Sequence, residues 1–383
     1  MKKILYLITQ SELGGAQKYV CELAAHLKDD FNITVAFGEQ GGKGELAKEL
    51  EVLKIKYEII PHLKRKINLA DDFRAIGEIA ALIKNIKPNI IHLNSTKISI
   101  VGSIAAFLAK LADKQIRTSY EARVVYTAHG WIFNEPLSRR VRNSYRWAEK
   151  ITSWLKDTII CVSEFDRRAA LKQKIAPARK LITIHNGVHP VEFLSREASR
   201  KKLALAADPF IIGSIGNLYP NKGFRYFLEA MKTLRNSGLP VTGVIIGSGE
   251  ERLKLERLAV KSGLADHFLF AGRINRAYEL LQAFDIYICS SIKEGLSYTL
   301  IEAMLAGRPV IATEVGGNPE LIEHNKTGIL VEPANAKLLA VKIKELFDNP
   351  ELMASLGEHA RKKAKLEFNF QKMIKKTKEV YLD

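Results

Sequence analysis

Cysteine is scarce in this chain of 383 residues. Cys21, Cys161 and Cys289 stand far apart inside apolar runs, with no CxxC pair among them. That pattern argues against a disulfide framework and a structural zinc site, and a reducing cytoplasmic home is expected. HExxH is also missing, so no metal ligand set is expected. Long apolar runs are missing too. VGSIAAFLAKLA stops well short of a bilayer span. The N-terminal apolar run of MKKILYLITQ soon meets Gln10 and Glu12, which suits a first buried strand better than a leader. Acidic residues are outnumbered, 42 against 59 Lys and Arg, for a net charge of +17. Such an excess attracts polyanions: nucleic acid, anionic lipid head groups or phosphorylated small molecules. The length and an ordinary apolar content suit two globular domains.

What is present is a rhythm. Short apolar strands (ILYLIT, NITVAFG, NIIHLNS, RVVYTAHG, TIICVSE, KLITIHNG) alternate with amphipathic helices, which predicts a parallel sheet covered on both faces. The rhythm breaks near 188–209 and resumes with PFIIGSIG, VTGVIIGSG, HFLFAG, IYICSS and PVIAT. The predicted fold class is α/β, with two doubly wound, Rossmann-like domains and a ligand cleft between them. The expected boundaries are 1–187, a hinge at 188–209, 210–365, and a final helix at 366–383 returning to the first domain.

Glycines mark the strand-to-helix turns. The first turn, TQSELGGAQ, lacks both the GxGxxG and the GxxxxGK[ST] spacing, yet Gly14 and Gly15 stand just before a helix. Backbone N–H groups there can face a phosphate, though a plain tight turn is the simpler reading. In GSIGNLYPNKG, Gly216 and Asn217 follow a strand, and Lys222 and Gly223 precede a helix. Lys222 is either a phosphate partner or a solvated loop lysine. Gly247 and Gly249, in IIGSGEE, form a third such turn.

His129 ends the strand of VVYTAHGW, where open α/β sheets line their ligand crevice. His92 has a similar position and is a weaker candidate, and His185 is expected at the hinge. The stretch KEGLSYTLIEAMLAGRPVIAT sets Glu294 and Glu302 seven residues apart, with Gly295 turning the chain into a helix from about Ser297. An anion docking at that helix start would meet backbone donors around Ser297 to Leu300, and a wall carboxylate would accept from sugar or ribose hydroxyls. Two surface glutamates stabilising a helix start are the plainer alternative.

Taken together, EGLSYTLIE, AMLAGRPVIATEVGGNPELI, LGGAQ, TAHG, SEF, HNGV and GNLYPNKG resemble the GT4-type retaining glycosyltransferases of the two-domain GT-B fold. The resemblance spans nearly the whole chain. It implies that Glu302 holds the donor ribose and that Glu294 contacts the transferred sugar. Gly295, Leu296, Ser297, Tyr298 and Thr299 would clasp the nucleotide and diphosphate. Gly15, beside Gly14, would approach the phosphate from the first domain, and Lys222 would neutralise the diphosphate. His129 would lie near the reaction centre. Glu320 matches an acidic position of the family pattern without an assigned chemistry. Many relatives carry arginine where this chain has Asn217, and Arg273 is one basic residue that could compensate. The resemblance implies transfer of a hexose-type sugar from a nucleotide-sugar donor, UDP-sugar above others, to a saccharide or lipid-linked acceptor. Retention of configuration, metal independence and no cofactor beyond the donor substrate are implied with it.

The stretch from Glu135 to Asp157 is basic and tryptophan-bearing. Val141, Tyr145, Ala148, Ile151 and Leu155 form one predicted stripe; Arg139, Arg142, Arg146 and Lys150 form another. A peripheral contact with an anionic membrane surface and a core-packing helix with a solvated basic face are both open. Surface polysaccharide or glycolipid assembly is the expected setting. Two rival functions remain: a sugar-nucleotide epimerase or hydrolase of the same fold, and a basic nucleic-acid-binding protein, although no reader module is visible.

Overall fold

The structure is a computed structural model. It describes all residues except 13, 39–43, 116–120, 136, 207–208 and 383, and only the backbone at 113–115. The chain forms two compact units, Met1–His185 with Ile374–Asp383, and Asn186–Met373.

The first unit contains β1 (Lys3–Ile8), α1 (Gly15–Leu27), β2 (Asn32–Gly38), α2 (Glu45–Val52), β3 (Lys56–Ile60), α3 (Leu69–Ile86) and β4 (Ile90–Leu93). It continues with α4 (Thr96–Gln115), β5 (Arg123–Ala128), α5 (Arg139–Thr152), β6 (Thr158–Cys161), α6 (Glu164–Lys172) and β7 (Leu181–Thr183). All seven strands are parallel, in the order β3-β2-β1-β4-β5-β6-β7. The second unit holds α7 (Arg196–Lys202), β8 (Phe210–Ile215), α8 (Phe224–Asn236), β9 (Val241–Ile246), α9 (Arg252–Lys261), β10 (Phe268–Gly272) and β11 (Ile286–Cys289). Then come α10 (Tyr298–Leu305), β12 (Val310–Thr313), α11 (Asn318–Leu321), β13 (Ile329–Val331), α12 (Ala336–Phe347) and α13 (Pro350–Glu367). Its six parallel strands run β10-β9-β8-β11-β12-β13. The last helix, α14 (Phe370–Leu382), begins in the second unit and finishes in the first.

The interior strands β4, β6, β11 and β12 are buried at every residue, as strands are when helices cover both sheet faces. In each sheet the winding reverses between the first strand and its later neighbour, at β1/β4 and at β8/β11. Doubly wound sheets bind ligands beyond the carboxyl ends of those strands.

The structure differs from the expected boundaries in two places. The described part of the segment expected as a hinge belongs to the second unit. Leu194 N–H donates to the Glu279 carbonyl at 2.9 Å, and α7 is clamped through Asp285. That carboxylate accepts from Arg196 at 2.5 Å, from Arg200 at 2.9 Å and from the Ile211 amide at 2.7 Å. Arg200 is 3% exposed, so the pair is a buried one. The C-terminal crossing also falls within α14, at Ile374, rather than at residue 366.

The basic stretch is rearranged relative to its predicted stripes. Tyr145, Ala148 and Leu155 are half-buried, and the buried side of α5 carries Glu149 and Thr152. Glu149 pairs with the fully buried Lys156 at 3.2 Å and accepts from Ser99 at 2.8 Å. Trp147, Ile151 and Trp154 instead face solvent, Trp154 at 83% exposure, beside the exposed Arg139, Arg140 and Arg142. Among the described residues no helix is long and apolar enough to cross a membrane.

Candidate active site

In the second unit, the loops that follow β8 and β11 meet at the reversal point of the sheet. The β8 loop passes Gly216 and Asn217, tightens into a 3-10 turn at Pro220–Lys222, and enters α8 through Gly223. Gly223 has φ +63, and a Cβ there would lie 2.2 Å from the Ser290 carbonyl oxygen. Only glycine permits that backbone conformation and that approach together. The loops are then stitched: Ile292 N–H donates to the Asn221 carbonyl at 2.8 Å, and the Ser290 hydroxyl donates to the Lys222 carbonyl at 3.0 Å. This stitching brings the Lys222 ammonium to 2.6 Å from Glu294 Oε1, which also accepts from the Ser291 hydroxyl at 2.6 Å. Burial alone would lower the Lys222 pKa; the carboxylate of Glu294, seconded by Cys289, overrides it and raises the pKa above the ordinary value. Lys222 and Glu294, expected to address different parts of a donor, are therefore partners here.

Gly247, after β9, also abuts this loop. Its φ is +155, and a Cβ there would lie 1.9 Å from the Gly216 carbonyl oxygen. Asn217 offers its carbonyl to the Tyr219 amide at 2.8 Å. Arg273 follows β10, two strands away from β8 in the sheet order, outside the β8/β11 reversal point.

From Glu294 the chain continues through Gly295 and Leu296 to Ser297, which caps α10 by accepting from the Leu300 amide at 3.4 Å. The predicted helix start is thus observed, and the free N–H groups of a first turn give it a positive end. Tyr298 and Thr299 lie in that turn. Glu302 follows one turn later and is 3% exposed. Tyr287 of β11 lies near both Thr299 and Glu302; burial first, then nearby Cys289 and Glu302, raises its phenol pKa.

Several residues that hold this wall carry no prediction from sequence. Asn186 donates to the Leu296 carbonyl at 2.9 Å. Gly317 N–H donates to the Gly295 carbonyl at 2.8 Å, and the Thr313 hydroxyl to the Ser291 carbonyl at 2.5 Å. Asn318 donates to the Thr313 carbonyl at 2.9 Å. The motifs HNGV, VIAT and GGNPE contain these residues, but nothing in their spacing reveals that they brace one loop. Glu320 lies in the short helix α11 that follows.

In the first unit, Gly14 stands at the start of α1, which no side chain caps, and Gly15 is its first residue. Tyr19, one turn further, packs edge-on against His129, which follows β5; the ring centroids are 4.9 Å apart at 75°. This contact joins the Gly14–Gly15 turn to His129. His129 Nε2 is buried without a hydrogen-bond partner among the described residues, and burial holds the imidazole pKa down to about 3. His92 is different in kind: it is fully enclosed within the sheet.

Two doubly wound, parallel-sheet domains of seven and six strands match the GT-B architecture. Residues 13–192 match the sequence profile described as Glycosyltransferase Family 4, and residues 195–363 match that of Glycosyl transferases group 1. The chain belongs to this glycosyltransferase family and is an enzyme of it. It is 26% identical, over 100% of its length and 97% of the relative's, to the UDP-Gal:alpha-D-GlcNAc-diphosphoundecaprenol alpha-1,3-galactosyltransferase of Escherichia coli. It is 30% identical to the putative glycosyltransferase EpsD of Bacillus subtilis over 79% of each chain. Its fold is similar to that of Anabaena HepE in complex with UDP-glucose, with a TM-score of 0.83, 22% identity and 99% of both chains covered.

Proposed function

We propose that this enzyme moves a hexose-type sugar, with retention of configuration, from a UDP-sugar to a saccharide or lipid-linked acceptor in cell-surface polysaccharide or glycolipid synthesis. The observation that carries the reading is the Lys222–Glu294 pair at the β8/β11 reversal point, 2.6 Å apart and largely enclosed. An ammonium there suits a diphosphate, and a carboxylate suits sugar hydroxyls. Donor binding exchanges their mutual contact for contacts to the two halves of one ligand. Glu302, buried in α10, accepts from the ribose hydroxyls. The relatives' names and the UDP-glucose complex of a fold neighbour support the donor class and the acceptor class.

In the transfer, the bond from the anomeric carbon to the diphosphate oxygen breaks as the acceptor oxygen bonds to the same face of that carbon. The acceptor proton passes to the departing diphosphate. Lys222 and the positive end of α10 stabilise the charge that grows on the leaving group, a contribution made in the transition state rather than the ground state. His129, held neutral, is the histidine that the family resemblance assigns to the donor sugar. The exposed Trp147, Ile151 and Trp154 and the arginines of α5 suit peripheral contact with an anionic membrane on the cytoplasmic side, where a lipid-linked acceptor resides.

UDP-hexose consumption measured with and without undecaprenyl-diphosphate-linked sugar tests the reading. Acceptor-dependent consumption is expected; rapid isomerisation or hydrolysis without acceptor would instead make it an epimerase or hydrolase. Glu302→Gln should weaken UDP binding by roughly 1.5–3 kcal/mol, the cost of losing a charged hydrogen-bond acceptor. Unchanged UDP affinity removes Glu302 from the ribose site.

A further inference from the structure

The first unit buries a row of polar side chains for which the proposed chemistry has no use. His92 lies on β4, in register with Tyr6 of β1 and Val125 of β5. Its Nδ1 is 2.5 Å from the Tyr381 hydroxyl of α14, and its Nε2 is 2.7 Å from Thr127 Oγ1 of β5. The row continues at both ends. The Tyr381 and Tyr6 hydroxyls are 3.2 Å apart, and Thr127 Oγ1 is 3.3 Å from the Tyr19 hydroxyl of α1. Tyr19 is also hydrogen-bonded to Thr377 of α14. Every member is buried.

Burial holds the His92 pKa down to about 3, with nearby His129 adding to the effect, so its imidazole is neutral and has one donor and one acceptor. The row therefore turns on His92, which bonds on both sides. The Tyr381 hydroxyl donates to Tyr6 and the Thr127 hydroxyl donates to Tyr19, while the single N–H of His92 goes to Tyr381 or to Thr127 according to the tautomer. No member can break away without leaving a buried polar group unpaired, so the row acts as a unit. One end of it is Tyr19, whose ring edge packs on His129, and His129 Nε2 has no protein partner among the described residues.

We propose that His92 is a positioning residue for His129. Through Thr127 it fixes Tyr19, and the near-perpendicular contact with the Tyr19 ring fixes the plane of the His129 imidazole, so that Nε2 keeps its orientation toward a bound ligand. Tyr381 anchors the other side of His92, which makes the C-terminal helix α14 part of the same support. This rests on the reading of His129 as a residue that meets the donor.

The test uses the full chain with His92→Leu, which removes both ring nitrogens, and Tyr381→Phe, the second keeping the ring and thus the packing. In protein carrying labelled histidine, the His129 ring resonances are identified by their loss in His129→Ala. Both variants are expected to shift them; unmoved resonances in both overturn the proposal. With UDP-glucose and UDP-galactose as donors, each variant should lower kcat several-fold while the donor KM stays within about twofold. In a His129→Ala background the same substitutions should add little, because their effect passes through His129. Losses that multiply fully in that background also overturn it. If His129→Ala keeps full turnover while its resonances in the other variants still move, the positioning stands and the role of His129 in transfer falls.

Discussion

Acid should weaken the first unit through one side chain that can be isolated. His92 is fully buried, and its pKa is lowered from 6.5 to about 3. Below pH 6.5 the unfolded chain takes a proton at this residue and the folded chain does not. The stability contributed by the neutral fold is therefore complete above pH 6.5 and is lost progressively as pH falls toward 3. Each pH unit in that window costs about 1.4 kcal/mol per group, so about 2 kcal/mol is gone at pH 5. His92→Gln keeps a donor and an acceptor for Tyr381 and Thr127 but has no proton to gain. All three tryptophans, Trp131, Trp147 and Trp154, lie in the first unit, so their fluorescence in urea follows that unit. Between pH 7 and pH 5 the native chain should lose about 2 kcal/mol more than the variant does. Equal losses would mean that His92 is protonated in the fold, which would also defeat the ordered hydrogen-bond row.

Three other outcomes are expected. Gly316 has φ +54, and a Cβ there would lie 2.0 Å from the Glu294 carbonyl oxygen, whereas Gly238 has φ +84 and open space around it. Both Gly→Ala changes incur roughly 1–2 kcal/mol of left-handed strain, but only Gly316→Ala should weaken UDP binding by calorimetry; equal UDP affinities refute the close-approach argument. Asp285→Ala strips two arginines and the Ile211 amide of one buried acceptor. It should destabilise the second unit by about 3–5 kcal/mol, read as lost amide-exchange protection at β8 and α7; protection equal to the native chain's would mean that 188–209 is held some other way. Replacing Trp147 and Trp154 together by serine should reduce binding to vesicles of equal phosphatidylglycerol and phosphatidylcholine by several thousandfold, since each ring would bury about 100 Å² at ~25 cal/mol/Å², about 5 kcal/mol for the two. Binding that survives the double change, or that ignores added salt, rules out this face.

The sequence reading and the structure agree where burial is two-sided. Strands such as β11 are unbroken apolar runs because helices cover both of their faces. The two strands that escaped notice, β3 and β13, are sheet edges. Lys56–Ile60 carries Lys and Glu on a half-exposed strand, and Ile329–Val331 has only three residues, so neither makes a continuous run. The start of α10 was legible because Gly295 and Ser297 are local signals, a turn and a cap. The α5 stripe was not. Helical periodicity marks which residues share a face, but not which face is turned inward. Here the inward face also accommodates a carboxylate, since Glu149 is matched by Lys156.

Local pattern by itself thus determined the doubly wound class, the glycine turns, the helix starts and, through resemblance, the family. Each depends on residues close together in the chain. Only the tertiary structure decided that Lys222 and Glu294, seventy-two residues apart, are partners, and that Asn186 and Gly317 brace the loop between Glu294 and Ser297. It alone set Tyr381 against His92 across 289 residues. Such contacts arise from sheet order. Winding that reverses at β1/β4 and β8/β11 brings distant loops to one edge, and no spacing in the sequence encodes which side chains then fall within reach.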